Sequence, residues 1–305
     1  MTKIIQDEEI AKFFDTVLKT DLKDEFKRPL VDSKYKLKSN IIYLTSDCSI
    51  ICDYCYQLKD RSKLQEQTYQ TKENINNFFE DLLKREPNGD STVVIFGGEP
   101  FLNDEIVYYI FDLTNMITQI NGKKFNLSLT TNGIYFKNDK NFKKFIEKSK
   151  ALENHFSLEI SYDGVGHDRR KYKNGKSTKS DVEEVLKKFK NINYDITIRY
   201  TIHKDNFKDC LRDLVKLSLE YKKIVVNFNE TELEKFCNVN DLKEKLKRQT
   251  CEIFKRTKTS ICHLNCQACL GCNFEQFDGI YYQYNDKNFE VNGNAKIFNS
   301  FTEGN

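Results

Sequence analysis

From residue 41 onward the chain alternates short β-branched or aromatic runs with longer amphipathic stretches. The runs at 41–46, 92–96, 125–131, 156–162, 196–202 and 223–228 predict strands. Apolar positions at helical spacing predict helices near 72–85, 103–120, 140–150, 179–190, 205–221 and 231–256. Strands that alternate with helices of this length build βαβ units and hence a parallel sheet. Right-handed crossovers curl such a sheet, so six repeats predict an α/β fold, a partial (β/α)6 barrel short of the closed eight-fold form. Residues 1–38 predict an N-terminal helical arm, with a helix at 7–19, packed outside the barrel at 39–230. Beyond it, 231–305 predict a helix and a separate small cysteine-rich module. Its segment FDGIYYQYNDKNFEVNGNAKIF reads as a pair of strands with a turn at Asn292-Gly293.

Composition narrows the class. Hydrophobic residues make up 39% of 305, enough for a sizeable core, and no apolar run is long enough to span a bilayer. The start, MTKIIQDEEIAKFF, has no apolar signal-peptide core, so a cytoplasmic location is expected. A formal charge of +3 from 49 basic and 46 acidic residues points to neither a nucleic-acid nor a membrane partner. The lysine-rich stretch at 244–256 is the one feature of a nucleic-acid or scaffold protein, and its interleaved acidic residues fit a solvated face better.

Ten cysteines are the informative excess, and their placement is uneven: three at 48–55, four at 262–272, with Cys210, Cys237 and Cys251 scattered. Without an export signal, thiols stay free or bind metal. Cys210 and Cys237 sit in helical patterns and read as core.

The segment Asp47-Cys48-Ser49-Ile50-Ile51-Cys52-Asp53-Tyr54-Cys55 directly follows the first strand. Three thiolates in a C-x3-C-x2-C loop can hold three irons of a [4Fe–4S] cube and leave the fourth iron open. The plainer alternatives are a zinc site or buried cysteines. Structural zinc wants four ligands, and no further Cys or His is near in sequence.

With Tyr54 just before the third cysteine, this loop resembles that of the radical S-adenosylmethionine superfamily. The resemblance implies that Cys48, Cys52 and Cys55 are the catalytic cluster ligands and that S-adenosylmethionine chelates the open iron. It also implies reductive cleavage to a 5′-deoxyadenosyl radical, hydrogen abstraction from substrate, and an electron donor of flavodoxin or ferredoxin type. Further matches stand at successive strand ends, where barrel active sites are built. Gly97-Gly98-Glu99-Pro100 resembles the family's GGEP, with glycines that permit close approach to a ligand and Glu99 as acceptor for the cofactor ammonium. Thr131-Asn132-Gly133 resembles its TNG, and Ser161-Tyr162-Asp163-Gly164 its S-x-D-G, whose serine contacts the cofactor ribose or carboxylate. Val226, ending the sixth strand, joins the implied cofactor site with Tyr54, Gly97, Gly98 and Asn132. Arg170 and Arg199 suit the cofactor carboxylate or structural ion pairs equally.

Cys262, Cys266, Cys269 and Cys272 resemble the auxiliary-cluster module, SPASM or its shortened twitch form, of radical enzymes that modify peptides. Gln283 stands where that module carries a further cysteine, so at most one auxiliary cluster is expected. Four thiolates fit one iron–sulfur cluster or one zinc, and Cys251 is able to replace one of them. The implied substrate is a ribosomally made peptide or a protein. The alternatives are a small metabolite, sugar or nucleotide, and, from another class, a non-catalytic metal-dependent binding protein.

Overall fold

The computed structural model describes residues 39–55, 69–87, 91–263, 281–285 and 288–292. In chain order these form β1 (Ser39–Tyr43), β2 (Ile50–Cys52), α1 (Lys72–Arg85), β3 (Ser91–Phe96), α2 (Asp104–Asn121), β4 (Phe125–Thr131), α3 (Asp139–Lys150), β5 (His155–Ser161) and β6 (Arg170–Tyr172). There follow α4 (Lys179–Asn191), β7 (Ile196–Ile202), α5 (Cys210–Ser218), β8 (Lys223–Phe228), α6 (Glu230–Leu233), α7 (Val239–Thr257), β9 (Ser260–His263), β10 (Tyr281–Asn285) and β11 (Asn288–Asn292).

All six expected strands form, as β1, β3, β4, β5, β7 and β8, and pair in parallel in that order. The sheet is an open part-barrel: its edges are β11 and β9, which do not pair with each other among the described residues. Local chemistry places the helices. Thr71 caps α1 by accepting the Asn74 N–H, acidic Glu73 lies in the first turn, and Lys84 and Arg85 lie in the last. Its buried Ile75, Phe78, Phe79 and Leu82 fall on one stripe and pack on the sheet. Asn138 caps α3, accepting from the amides of Lys140 and Asn141. The layer between sheet and helices is aromatic. Phe136 meets Phe101 and Phe189 edge-to-face, and the buried Phe145 packs against both Phe136 and Phe189. Truncating a ring such as Phe136 to Ala would cost about 3–5 kcal/mol.

Several expectations are corrected. The first strand stops at Tyr43 instead of 46, because Leu44–Ser46 turn into the cysteine loop. The helix expected at 205–221 is only Cys210–Ser218, preceded by turns, and that at 231–256 divides into α6 and α7. Asn285 lies opposite Asn288, so the late hairpin reverses between those residues and not at Asn292-Gly293. The region past 230 is also continuous with the barrel sheet: β9 extends it beside β8, and β10 pairs in parallel with β1. The 1–38 arm and Cys266, Cys269 and Cys272 lie outside the described residues. Cys262 falls on β9 and Cys251 on α7.

Candidate active site

The site begins where β1 and β3 end. Leu44 donates to Phe96 O at 2.9 Å, and the chain then passes Gly97 and Gly98, whose lack of side chains is essential. A Cβ at Gly97 (φ +142°) would stand 2.6 Å from Thr45 O, and one at Gly98 only 1.9 Å from Asp47 O. With that space open, Gly98 N–H donates to Thr45 O and Glu99 N–H to Asp47 O, both at 2.8 Å. The glycine pair therefore presses against the chain's own cysteine loop. Asp47 turns the loop by accepting the Cys48 N–H at 2.7 Å. On the far side β2 and β6 pair antiparallel, with Cys52 opposite Arg170. Cys48 and Cys52 are buried and Cys55 half-buried.

Two of the thiols have polar donors. Asn132 Nδ2 lies 3.8 Å from Cys48 Sγ and 3.1 Å from Ser49 Oγ, while Arg170 Nη1 lies 3.7 Å from Cys52 Sγ. Burial pushes the Cys52 thiol up to about 12, partly opposed by the Arg170 charge. Arg170 also forks onto Asp163, Nε to Oδ2 at 2.7 Å and Nη2 to Oδ1 at 3.2 Å. Asp163, fully buried, accepts in addition from Thr201 N–H at 3.0 Å and from the Tyr54 hydroxyl. Burial alone would raise its carboxyl, but the Arg170 charge and fork outweigh burial and hold it below the usual carboxylate range.

Burial holds both histidines behind this hub below the usual imidazole range. His167 Nδ1 accepts the Asp163 N–H, which assigns the proton to Nε2, facing Thr178 Oγ1 at 3.2 Å; Thr178 in turn donates to Arg170 O. Burial pulls His167 down to about 3. Although far from the cysteines in sequence, His203 stacks on Tyr54 at 5.1 Å, and its Nδ1 accepts the Asp205 N–H.

Strand pleat and register define an inner face. Tyr200 points outward and donates to Asp213 of α5, so Arg199 and Thr201 point inward. By register the same face carries Tyr43, Phe96, Thr130, Glu159, Ser161 and Asn227. Arg199 Nη1 meets Glu159 Oε2 at 2.6 Å, Thr130 Oγ1 donates to the same oxygen at 3.0 Å, and the guanidinium lies 5.7 Å from the Phe96 ring. A contact between β3 and β7, which have two strands between them, reflects the curl of the sheet. Closed barrels fill this space with bulky branched residues; here much of it is lined by hydrogen-bonding groups. Among the described residues, Asn227 Oδ1 is buried without a hydrogen-bond partner, an acceptor open to a bound molecule.

Among the described residues, no three or more His, Cys, Asp or Glu side chains converge on a single metal ion. A buried loop with three thiols, two of them facing N–H donors, fits the cluster. Residues 42–218 match the family model described as the Radical SAM superfamily. The chain belongs to the radical SAM superfamily. Membership implies a [4Fe–4S] cluster and S-adenosylmethionine. Among solved structures, polyhistidine-tagged anSMEcpe with bound AdoMet is similar at 24% identity and a TM-score of 0.52, over 63% of this chain and 51% of that one. Native anSMEcpe with bound AdoMet and Cp18Cys peptide is similar at 22% and 0.51, over 63% and 50%. The form with Kp18Cys peptide gives 21% and 0.52, over 62% and 51%. At these identities the likeness shows the fold, and the chain spans about half the length of those structures. No curated protein matches it in sequence.

In this radical SAM chain Glu99 is buried and accepts from Thr131 Oγ1 at 2.8 Å, Asn132 N–H at 2.8 Å and Phe101 N–H at 3.2 Å. A carboxylate has about four acceptor positions, so one on Oε2 remains. Burial raises Glu99 to about 7 against these donors. It borders a cavity of about 400 Å³ that Ser49, Phe101, Ile134 and Tyr135 also line. Ser161 ends β5 on the inner face, with no hydrogen bond to its hydroxyl among the described residues. Arg170 and Arg199 both stand in ion pairs. Val226 points into the helix-facing core and offers the inner face only its backbone. Asp163 emerges as a hub that residue type did not reveal; in the Ser161-Tyr162-Asp163-Gly164 match only the serine carried an expected role.

Proposed function

We propose that this chain is a radical enzyme that removes a hydrogen atom from a peptide or protein substrate. The observation that carries the reading is the three-cysteine loop, bolted to the ends of β1 and β3 and facing a polar inner wall. A [4Fe–4S] cluster held there would supply one electron for cleavage of the S-adenosylmethionine sulfonium into methionine and a carbon radical able to take hydrogen from substrate. The chain's own residues do the positioning. Cys48, Cys52 and Cys55 would hold three irons, and the remaining acceptor position of Glu99 would take the cofactor ammonium. Ser161 and Asn227 offer a hydroxyl and an orphan acceptor along the inner face, and the Tyr54–His203 stack covers the loop from the side of β7.

A peptide substrate is favoured by the two similar structures that hold peptides. An auxiliary iron–sulfur cluster on Cys262, Cys266, Cys269 and Cys272 is part of the same reading. Cys262 lies near the C-terminal end of β9, which runs parallel to β8, so it stands at the end of the sheet that carries the active-site loop.

The test is anaerobic reconstitution. Reduced protein should give an electron paramagnetic resonance signal that shifts on addition of S-adenosylmethionine. Replacing Cys48, Cys52 and Cys55 together with Ala should remove the shift and all 5′-deoxyadenosine, while about four irons remain on the C-terminal cysteines. A triple variant that still cleaves the cofactor would refute the assignment. One zinc and no iron in that variant would refute the auxiliary cluster alone.

A further inference from the structure

We propose that Arg170 is a positioning residue for electron transfer, a fixed cation hydrogen-bonded to Cys52 that biases the cluster toward its reduced form, with Asp163 as the counterweight. This rests on the reading of Cys48, Cys52 and Cys55 as cluster ligands.

The geometry leaves Arg170 little freedom for any other task. Its backbone is laddered to Cys52 through β2 and β6. Its Nε and Nη2 are committed to Asp163, and its Nη1 points at Cys52 Sγ, 3.7 Å away. The guanidinium also lies 5.4 Å from the Tyr54 ring, and the residue is only 8% exposed. Asp163 cannot swing away, because Thr201 N–H and the Tyr54 hydroxyl hold it from other sides. A side chain tied at three nitrogens is poorly placed to reach out for a carboxylate of the cofactor.

Its position suits electrostatic control instead. Reduction adds one negative charge to the cluster, and hydrogen bonds to ligand sulfur are among the protein's levers on cluster potential. A cation donating to a thiolate stabilises the reduced form more than the oxidised form. Asp163 works the other way from one residue further out. Asn132, donating to Cys48 at 3.8 Å, is a weaker, neutral counterpart.

The two charges therefore predict shifts of opposite sign. Arg170→Gln keeps a polar group but removes the cation and leaves Asp163 uncompensated. At a separation of several ångströms in a protein-like medium, it should lower the equilibrium constant for reduction about ten- to hundred-fold. Each tenfold is 59 mV for a one-electron couple. Asp163→Asn should raise that constant. Arg170→Lys keeps the charge without the fork and should lie between wild type and Arg170→Gln.

The experiment is a mediator titration of anaerobically reconstituted full-length protein without S-adenosylmethionine, with iron content measured on each sample. It follows the paramagnetic signal that shifts when the cofactor is added afterwards, which separates this cluster from any other. Opposite shifts in Arg170→Gln and Asp163→Asn support the proposal. Shifts of the same sign, or no shift in either at full iron content, overturn it. Should Arg170→Gln lose its iron, Arg170→Lys and Asp163→Asn decide, and an unmoved potential in both counts against it. Weakened cofactor affinity with an unmoved potential would return Arg170 to the cofactor carboxylate. If the triple cysteine variant kept the signal, the cluster assignment itself would fail, which is a distinct result.

Discussion

Gly98→Ala tests whether the glycine pair exists to seat the cysteine loop. Adding one methyl puts Cβ at 1.9 Å from Asp47 O and 2.6 Å from Asp47 C. An ordinary C···O contact is about 3.3 Å or more, so the two segments must part by roughly 1.4 Å. The obstructing atoms are backbone, which no rotamer change can move aside. Parting stretches the Gly98–Thr45 and Glu99–Asp47 bonds, now 2.8 Å each, past useful length. Each is worth about 0.5–1.5 kcal/mol, and overpacking adds about 1–3 kcal/mol, for a total near 2–6 kcal/mol. With a urea slope of about 2 kcal/mol per molar, the midpoint should fall by roughly 1–3 M. Release of residues 45–47 alone would limit that loss, at the expense of iron binding. The control is Gly175→Ala, whose φ is also positive at +85° but whose Cβ meets nothing within 4 Å; it should cost about 1 kcal/mol and no iron. Urea unfolding and iron content are measured anaerobically on both proteins. If Gly98→Ala matches Gly175→Ala in midpoint and in iron, the packing argument is wrong.

Other expectations follow from the same site. Glu99→Gln should weaken S-adenosylmethionine binding about ten- to hundred-fold, and Ser161→Ala only several-fold, in titrations at equal iron content. Because Glu99 is raised from 4.5 to about 7, its contribution to stability is fully present below 4.5 and lost as pH rises through about 7. Glu99→Gln should therefore gain in urea midpoint, relative to wild type, as pH rises from about 4.5 to about 7; a constant difference across that range would contradict the burial argument. Glu159→Ala strands the Arg199 charge on the inner face and should cost about 3–5 kcal/mol in chemical denaturation, with part of the loss recovered when Arg199 is also replaced.

Much of the frame was legible because strand and helix periods differ and alternate regularly here; β4, β7 and β8 match their expected bounds, and the helix at 72–85 matches too. What escaped was structure without a period of its own. Strands β2 and β6 have three residues each and form only because they meet across more than a hundred residues of chain. In β9 a four-residue run ends in Cys262-His263, where cysteine spacing drew the eye from strand character. Site residues were legible by type but less so by partner. Gly97 and Gly98 suggested close approach to a ligand, yet the close neighbour is the backbone of Thr45 and Asp47. Arg170 suited a carboxylate and found one, that of Asp163. His203 looked remote from the cysteines along the chain and stacks on Tyr54 in space, since β7 ends beside the loop.

The short motifs have a mechanical logic in common. An isolated eight-residue cysteine loop would have to be ordered when metal binds, at about 1–2 kcal/mol per residue of backbone entropy. Here that cost is met during folding, because each shoulder of the loop is bonded to a different strand end. Gly98 and Glu99 hold residues 45 and 47, Asn132 reaches Cys48 and Ser49, and Arg170 pairs with Cys52 while Asp163 holds Tyr54. These contacts come from the ends of β3, β4 and β5 and from β6. The polar inner wall follows the same rule: Glu159, Arg199 and Thr130 satisfy one another before any substrate arrives. A site that is paired in advance leaves few groups to reorganise as charge moves, and preorganised polar groups stabilise a developing charge better than mobile ones. The Ser161 hydroxyl and Asn227 Oδ1 on that wall, without partners among the described residues, are then the informative exceptions, groups open to a bound molecule.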